Sequence, residues 1–349
     1  MRRTIRLVSQ SLSLLLLPEF ANAQSSVTLY GMLDIGVQHL NRSGGSRQGS
    51  RIDLVNAGFW ASRFGFRGVE NMGAGNRIFF QLESSFDAVS GAMIPSNLLF
   101  NRASLIGWSG PFGTLSAGRQ NSTQLDHTLA YDLTSLAGYS ILSLQAIPLP
   151  TLRVSNSIKY LSPTFSGFAG RAMYGFGQQH AGNDVAGRYM SAMLEYTLGY
   201  FTTGVVYEKT RGTLRPARDA SGLSERRYSV AARCVVPNMF LVSMGATRVL
   251  GDLQLTPRGI VYWATAGMWV SPSVVFSLSA GRYDYQGKAQ HSALWAVGAQ
   301  SFLSKTVFVY ANVGYLSNQD VGTLGIRNYA ATSPGMNQLG ASVGINKRF

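Results

Sequence analysis

Single basic side chains recur along this chain at positions that alternate with apolar ones. In "SRFGFRG", Arg63 and Arg67 have the opposite parity to Phe64 and Phe66. In "NRASLIG", Arg102 stands against Ala103 and Leu105, and further on Arg153 and Lys159 stand against Val154, Ile158 and Tyr160. Arg171 alternates with Ala172 and Tyr174, and Arg227 and Arg233 with Tyr228, Val230 and Ala232. The same parity test puts few acids on this polar face: Asp34, Glu83 and Glu195. Cationic groups fixed along a wall attract and orient anions; alone they break no bonds.

Other chemistry finds little support. His39, His127, His180 and His291 lack metal-ligand spacing, and Cys234 is the single cysteine. Gly340, Ser342 and Gly344 match G-x-S-x-G, but a nucleophile elbow needs a strand-to-helix turn. Ser342 instead sits inside an alternating stretch, with Leu339, Ala341, Val343, Ile345 and Phe349 on one face and Gln338, Asn346 and Arg348 on the other. No phosphate-cradling glycine loop or paired-carboxylate site is visible. The reading is therefore not an enzyme, with no metal and no cofactor.

The elements that carry these residues have a period of two, which marks β-strands apolar on one side only. "SVTLYGMLDIGVQHL" shows it at the start of the chain and "LGASVGINKRF" at its end. Sixteen such segments are centred near 26–40, 59–70, 77–88, 99–109, 114–120, 153–162, 167–178, 187–198, 200–210, 225–236, 240–249, 258–270, 274–286, 291–303, 306–318 and 335–349. Tight turns such as "NMGAG" and "SPS" alternate with long connections such as "NRSGGSRQGSR" and "TRGTLRPARDASGLSE". An even strand number with this alternation predicts an all-β fold, a sixteen-stranded antiparallel transmembrane β-barrel. Closure leaves no backbone amide unpaired in the bilayer. A secreted β-sandwich would need a large dry core, whereas the polar faces here are rich in Gly, Ser, Gln and Arg and suit a wet interior. The basic residues then face the lumen and Ala103 and Leu105 face lipid, since an unpaired Arg at mid-depth on the lipid face costs about 2–4 kcal/mol.

Composition agrees. Charged residues are 13% of the chain, against roughly 25% in soluble proteins. Residues 1–23 have the layout of a secretory signal peptide: Arg2, Arg3 and Arg6, an apolar run, then Ala21-Asn22-Ala23. Processing before Gln24 would remove three Arg and one Glu from 30 basic and 16 acidic residues, leaving a net +12 on a single barrel domain, 24–349. The basic residues are spread singly along strands, which excludes the clustered face that nucleic acid requires.

The stretches "SSVTLYGMLDIGV", "SRFGFRGVENMGAGNRIFFQLESSF", "LFNRASLIGWSGPFGTLSAGRQ", "SNSIKYLSPTFSGF" and "VGINKRF" together resemble the trimeric general-diffusion porins of Gram-negative outer membranes, of the beta-proteobacterial type. The resemblance implies a homotrimer of water-filled pores in the cell outer membrane. It also implies contact with outer-membrane lipid including lipopolysaccharide, with the assembly machinery, which would read Phe349 as its signal, and with small hydrophilic solutes and anions. In similar porins the third long connection folds into the lumen as a constriction loop facing an arginine ladder. Arg63, Arg102 and Arg153 match the ladder, and Asp126 and Asp132 are the only acids of the loop. The "PEFGG" turn of many enteric porins is absent, and "SILSLQAIPLPTL" is unusually apolar. Eight basic residues against so few acids predict a passive diffusion channel that prefers anions. The alternative is a substrate-selective phosphate or carboxylate channel of the same fold; a barrel phospholipase would need a rim active site that is not seen.

Overall fold

The computed structural model describes residues 26–44, 49–95, 97–133, 138–144, 152–287, 290–327 and 330–349. The expected signal peptide lies outside the described residues. The first half of the chain contributes β1 (Ser26–Ser43), β2 (Gly49–Asn56), β3 (Arg63–Gly73), β4 (Asn76–Ser85), β5 (Ala103–Gly110) and β6 (Gly113–Asn121). Two helices, α1 (Thr123–Tyr131) and α2 (Ile141–Leu144), precede β7 (Arg153–Leu161), β8 (Phe168–Gly175), β9 (Tyr189–Leu198) and β10 (Phe201–Arg211). A small hairpin, β11 (Leu214–Arg215) with β12 (Arg218–Asp219), follows. Then come β13 (Ser224–Val236), β14 (Phe240–Gly251), β15 (Gly259–Ser271) and β16 (Val274–Tyr285). The chain finishes with β17 (His291–Phe302), β18 (Val307–Asn318) and β19 (Gln338–Arg348).

Each strand of the main sheet pairs antiparallel with its neighbours, and β1 closes the sheet on β19 from Met32↔Arg348 to Leu40↔Gly340. Seventeen strands make sixteen staves, because β2 and β3 both pair with β1, on its second and first halves respectively. They are one stave broken at 57–62. Asp34 holds the break: its carboxylate accepts from the Phe59 and Trp60 amides, both at 3.1 Å, from Tyr310 Oη at 2.9 Å and from Asn346 Nδ2 at 2.9 Å. Phe59 and Trp60 then pack edge-on against Phe308. The Tyr310 ring has room because residues 58 and 344 are glycines, where a Cβ would stand 1.9 and 2.2 Å from its Oη.

Alternation sorts the two faces. Val27, Leu29, Leu33, Val37, Val343 and Ile345 are exposed on the outside, while Asp34, Gln38, Ser342 and Asn346 are buried on the inside. Phe349 ends the sheet by exchanging backbone hydrogen bonds with Gly31 at 3.0 and 3.1 Å, and its ring lies where a Gly31 side chain would stand.

Candidate permeation site

The basic face gathers into two charge clusters on the inner wall. In the first, Glu83 of β4 sits among arginines. Arg102 Nε is 2.5 Å from one carboxylate oxygen and Arg63 Nε 4.0 Å from the other. Tyr30 donates to the same carboxylate at 2.9 Å, and Gln81 donates to Tyr30 at 2.7 Å. Arg153 lies within electrostatic reach of Arg102, Glu83, Arg119 and Arg63. Arg119 is fixed at 2.7 Å both to the Asn101 carbonyl and to Ser155 Oγ. Two guanidinium groups thus hold one carboxylate, with Arg153 in electrostatic reach of it.

The second cluster is built on α1. Ser122 caps this helix, accepting from the Leu125 amide at 3.0 Å, and Asp126 occupies its first turn, where the helix dipole favours an anion. Asp126 faces Lys159 at 2.7 Å and Arg171 at 3.6 Å, and Arg171 also reaches Glu195 at 2.9 Å. Both clusters line one cavity of about 330 Å³, bounded by Arg63, Glu83, Arg102, Gln120, Asp126 and Lys159.

Inward-facing wall residues hold α1 in place. Ser191 donates to Thr123 Oγ1 at 2.7 Å and Ser229 to Gln124 Oε1 at 2.9 Å. Arg233 donates to the Ala130 carbonyl at 2.5 Å, with its guanidinium over the Tyr131 ring. The apolar stretch that begins at Ser140 has a physical explanation. Ile141, Leu142 and Leu144 are buried in one cluster with Val261, Trp263, Leu294, Leu316 and Ile326, so this part of the interior is dry. Residues 145–151 lie outside the described residues.

Several sequence expectations need correction. Ala103 and Leu105 do not face lipid: they register with Glu83 and Gln81 and line the cavity. Arg102 reaches Glu83 from just before the strand, where parity does not apply. Arg227 is no pore-lining charge; it is 1% exposed and clamped by Glu208 at 2.8 Å and Glu225 at 2.5 Å. Asp34 is fully buried on backbone amides and meets no wall arginine among the described residues. Asp132 is 1% exposed and accepts from Ser140 Oγ at 2.6 Å within its own connection. Arg67, by contrast, keeps its expected inner face: it registers with cavity-lining Gln81 and is exposed over the Tyr30 ring, with no ion pair among the described residues. Parity reasoning missed Glu208 and Glu225. For Glu208 the signal was present, since it shares parity with Thr202 and Gly204, but Val205 and Val206 blur that strand.

His127 of α1 is buried against Tyr131, with Nε2 3.3 Å from the Gly204 carbonyl. Burial first, and Arg171 after it, lower its pKa from 6.5 to about 4; the Gly204 contact opposes them. The docked helix therefore favours the neutral imidazole. Docking is expected to be insensitive to pH above about 6.5 and to weaken as pH falls towards 4, by up to roughly 3 kcal/mol. Hydrogen exchange of residues 123–131 at pH 7 and pH 4.5 measures this, and equal protection at both would refute it.

A closed sheet without edges, apolar outside and charged inside, is the architecture of an outer-membrane β-barrel channel. The chain belongs to the Gram-negative porin family, whose family model matches residues 11–321. It is 29% identical over 346 residues to outer membrane porin protein 32 of Delftia acidovorans, covering 94% of this chain and 95% of that one. It is 30% identical over 211 residues to the major outer membrane protein P.IB of Neisseria meningitidis, covering 60% of each. An anion-selective porin from Comamonas acidovorans superposes with a TM-score of 0.78 at 26% identity, over 93% of this chain and 100% of that one. The protein is thus a porin of the Gram-negative outer membrane and not an enzyme; Ser342 lies within β19, in register with Gln38 and Asn312.

Proposed function

We propose that this porin is a general-diffusion channel that prefers anions, narrowed by the connection carrying α1 and assembled as a homotrimer after removal of residues 1–23. The observation that carries the preference is the holding of Glu83 by Arg63 and Arg102, with Arg153 in electrostatic reach, at the cavity that Asp126 and Lys159 also line. The anion-selective porin from Comamonas acidovorans supports the reading as a relative of the same architecture. At physiological salt the Debye length is about 8 Å, so charges in a narrow cavity act on a passing ion before they are screened.

The test is a planar-bilayer recording in a potassium chloride gradient. The zero-current potential is expected to have the sign of chloride preference, and closure in three equal steps would report the trimer. Cation preference would overturn the reading. The convergence of three guanidinium groups also suits a phosphate- or carboxylate-selective channel, which conductance saturating with that anion would reveal.

A further inference from the structure

Aromatic side chains also line the inside of the barrel at its short-turn end. Trp269 of β15 and Phe302 of β17 stack with ring centroids 5.6 Å apart and planes 26° from parallel. Phe302 meets Phe308 of β18 at 5.5 Å, and Phe308 meets Trp60 edge-on at 5.7 Å. Strand parity turns these rings inward. Trp269 alternates in step with the buried Val261 and Trp263, Phe302 with Leu294 and Ala296, and Phe308 with Tyr310 and Leu316. Phe201, Phe240 and Phe276 are instead exposed on the outer wall, where an interfacial girdle belongs. Phe308 is buried, whereas Trp60, Trp269 and Phe302 keep partly exposed faces. The Phe302 amide donates to the Ser273 carbonyl and the Arg348 amide to the Thr306 carbonyl. The row therefore stands beside the short turns, which in an outer-membrane barrel face the periplasm.

One cation completes the row. Arg348 of β19 holds its guanidinium 4.6 Å from the Trp60 ring centroid and 5.7 Å from that of Phe308. Among the described residues no carboxylate pairs with it. Its Nε is buried with no hydrogen-bond partner among them. Resting on ring faces, Arg348 keeps its charge free, unlike Arg102 on Glu83 or Lys159 on Asp126. Arg348 and Arg63 register with Met32 from opposite sides of β1, and Arg63 is within electrostatic reach of Arg348. A solute that leaves the cavity past Arg63 meets this cation next, and the ring faces with it.

We propose that this inner wall, built by Trp60, Trp269, Phe302 and Arg348, binds aromatic carboxylates on their way through the channel. The inference rests on the diffusion-channel reading and names one class of anion that the channel takes. The carboxylate pairs with the Nη edge of Arg348, and the ligand ring lies on the indole and phenyl faces. Guanidinium and carboxylate match fork to fork, so a ring joined to that carboxylate extends past Arg348 over its aromatic neighbours. Offset or edge-on contact between rings stabilises an aromatic ligand beyond the area it buries. Chloride and aliphatic acids make no such contact.

The test is block of potassium chloride current through the full chain in planar bilayers, with benzoate added to both sides. Benzoate is expected to lower the wild-type current saturably. Cyclohexanecarboxylate, equal in charge and similar in size, should need at least roughly threefold more for the same block. Arg348→Gln should raise the half-blocking concentration of benzoate at least roughly tenfold. Trp269→Leu, at the rim and with every charge intact, should raise it about threefold and leave that of cyclohexanecarboxylate unchanged. The zero-current potential, read in the same membranes before benzoate is added, reports chloride preference separately, so either reading can fail alone. Equal block by the two acids would mark a plain anion site and overturn the proposal. So would benzoate block that either substitution leaves unaltered.

Discussion

Replacing Arg63, Arg102 and Arg153 together by Glu is expected to turn an anion-preferring channel into a cation-preferring one. Around the cavity stand five cations (Arg63, Arg102, Arg153, Lys159 and Arg171) and three carboxylates, Glu83, Asp126 and Glu195. The net charge is +2, and the substitution moves it by six units to −4. A monovalent ion about 8 Å away in water feels roughly 1 kcal/mol from two net charges and roughly 2 kcal/mol from four before screening. One Debye length of screening leaves about 0.4 and about 0.8 kcal/mol. Chloride over potassium by roughly fourfold should therefore become potassium over chloride by roughly tenfold. The zero-current potential reads this as a change of sign. Because Glu83 loses two partners and gains like-charged neighbours, the control is the same triple change with Glu83→Gln, which removes that repulsion and should still reverse the sign. Chloride preference persisting in both variants would show that these side chains do not govern the path.

The barrel was legible in the sequence because lipid on one side and water on the other impose period-two alternation directly on each strand. Fifteen of the sixteen staves needed no more than that, and the remaining one was seen only in part. Its upper half, β2, reads "GSRIDLVN" and follows a glycine- and arginine-rich run, so it looked like loop; its pairing with β1 depends on Asp34 gathering residues 57–62 at a distance in sequence. The charge clusters were legible where parity holds, as for Arg63, Lys159 and Arg171. It fails where a side chain leaves the strand lattice. Arg102 lies just outside β5, and a register shift between β6 and β7 beside Asn156, with φ of 50°, separates Arg153 from the parity of Lys159. α1 is short and polar, with no marked apolar face, and its position depends on side chains from β9 and β13 that no local pattern announces. Burial of Arg227 was equally hidden, because its partners come from three chain segments.

Removal of Arg227 is expected to be the most destabilising single change of charge in the barrel. The guanidinium bridges Glu208 of β10 and Glu225 of β13, and donates to Thr256 Oγ1 at 2.9 Å in the connection after β14. Tyr189 of β9 donates to Glu208 at 2.7 Å, and the Thr256 amide to Glu225 at 2.9 Å. Arg227, Glu208 and Glu225 are each at most 2% exposed. Arg227→Met leaves two carboxylates facing each other without a counter-charge, and breaking such a pair costs about 3–5 kcal/mol. If that loss falls mainly on the native side of the unfolding barrier, unfolding at fixed temperature accelerates by roughly 10²–10³-fold. Adding Glu208→Gln and Glu225→Gln to Arg227→Met removes the orphaned charge while keeping hydrogen-bonding capacity, and most of the acceleration should disappear. Ion selectivity should stay as in the wild type in both variants, since this triad does not line the permeation cavity. The measurement is the loss of the folded gel band with time in detergent at elevated temperature. Arg227→Met unfolding at the wild-type rate, or a triple variant no slower than the single one, would mean that water reaches these charges and that their burial does not hold the wall together.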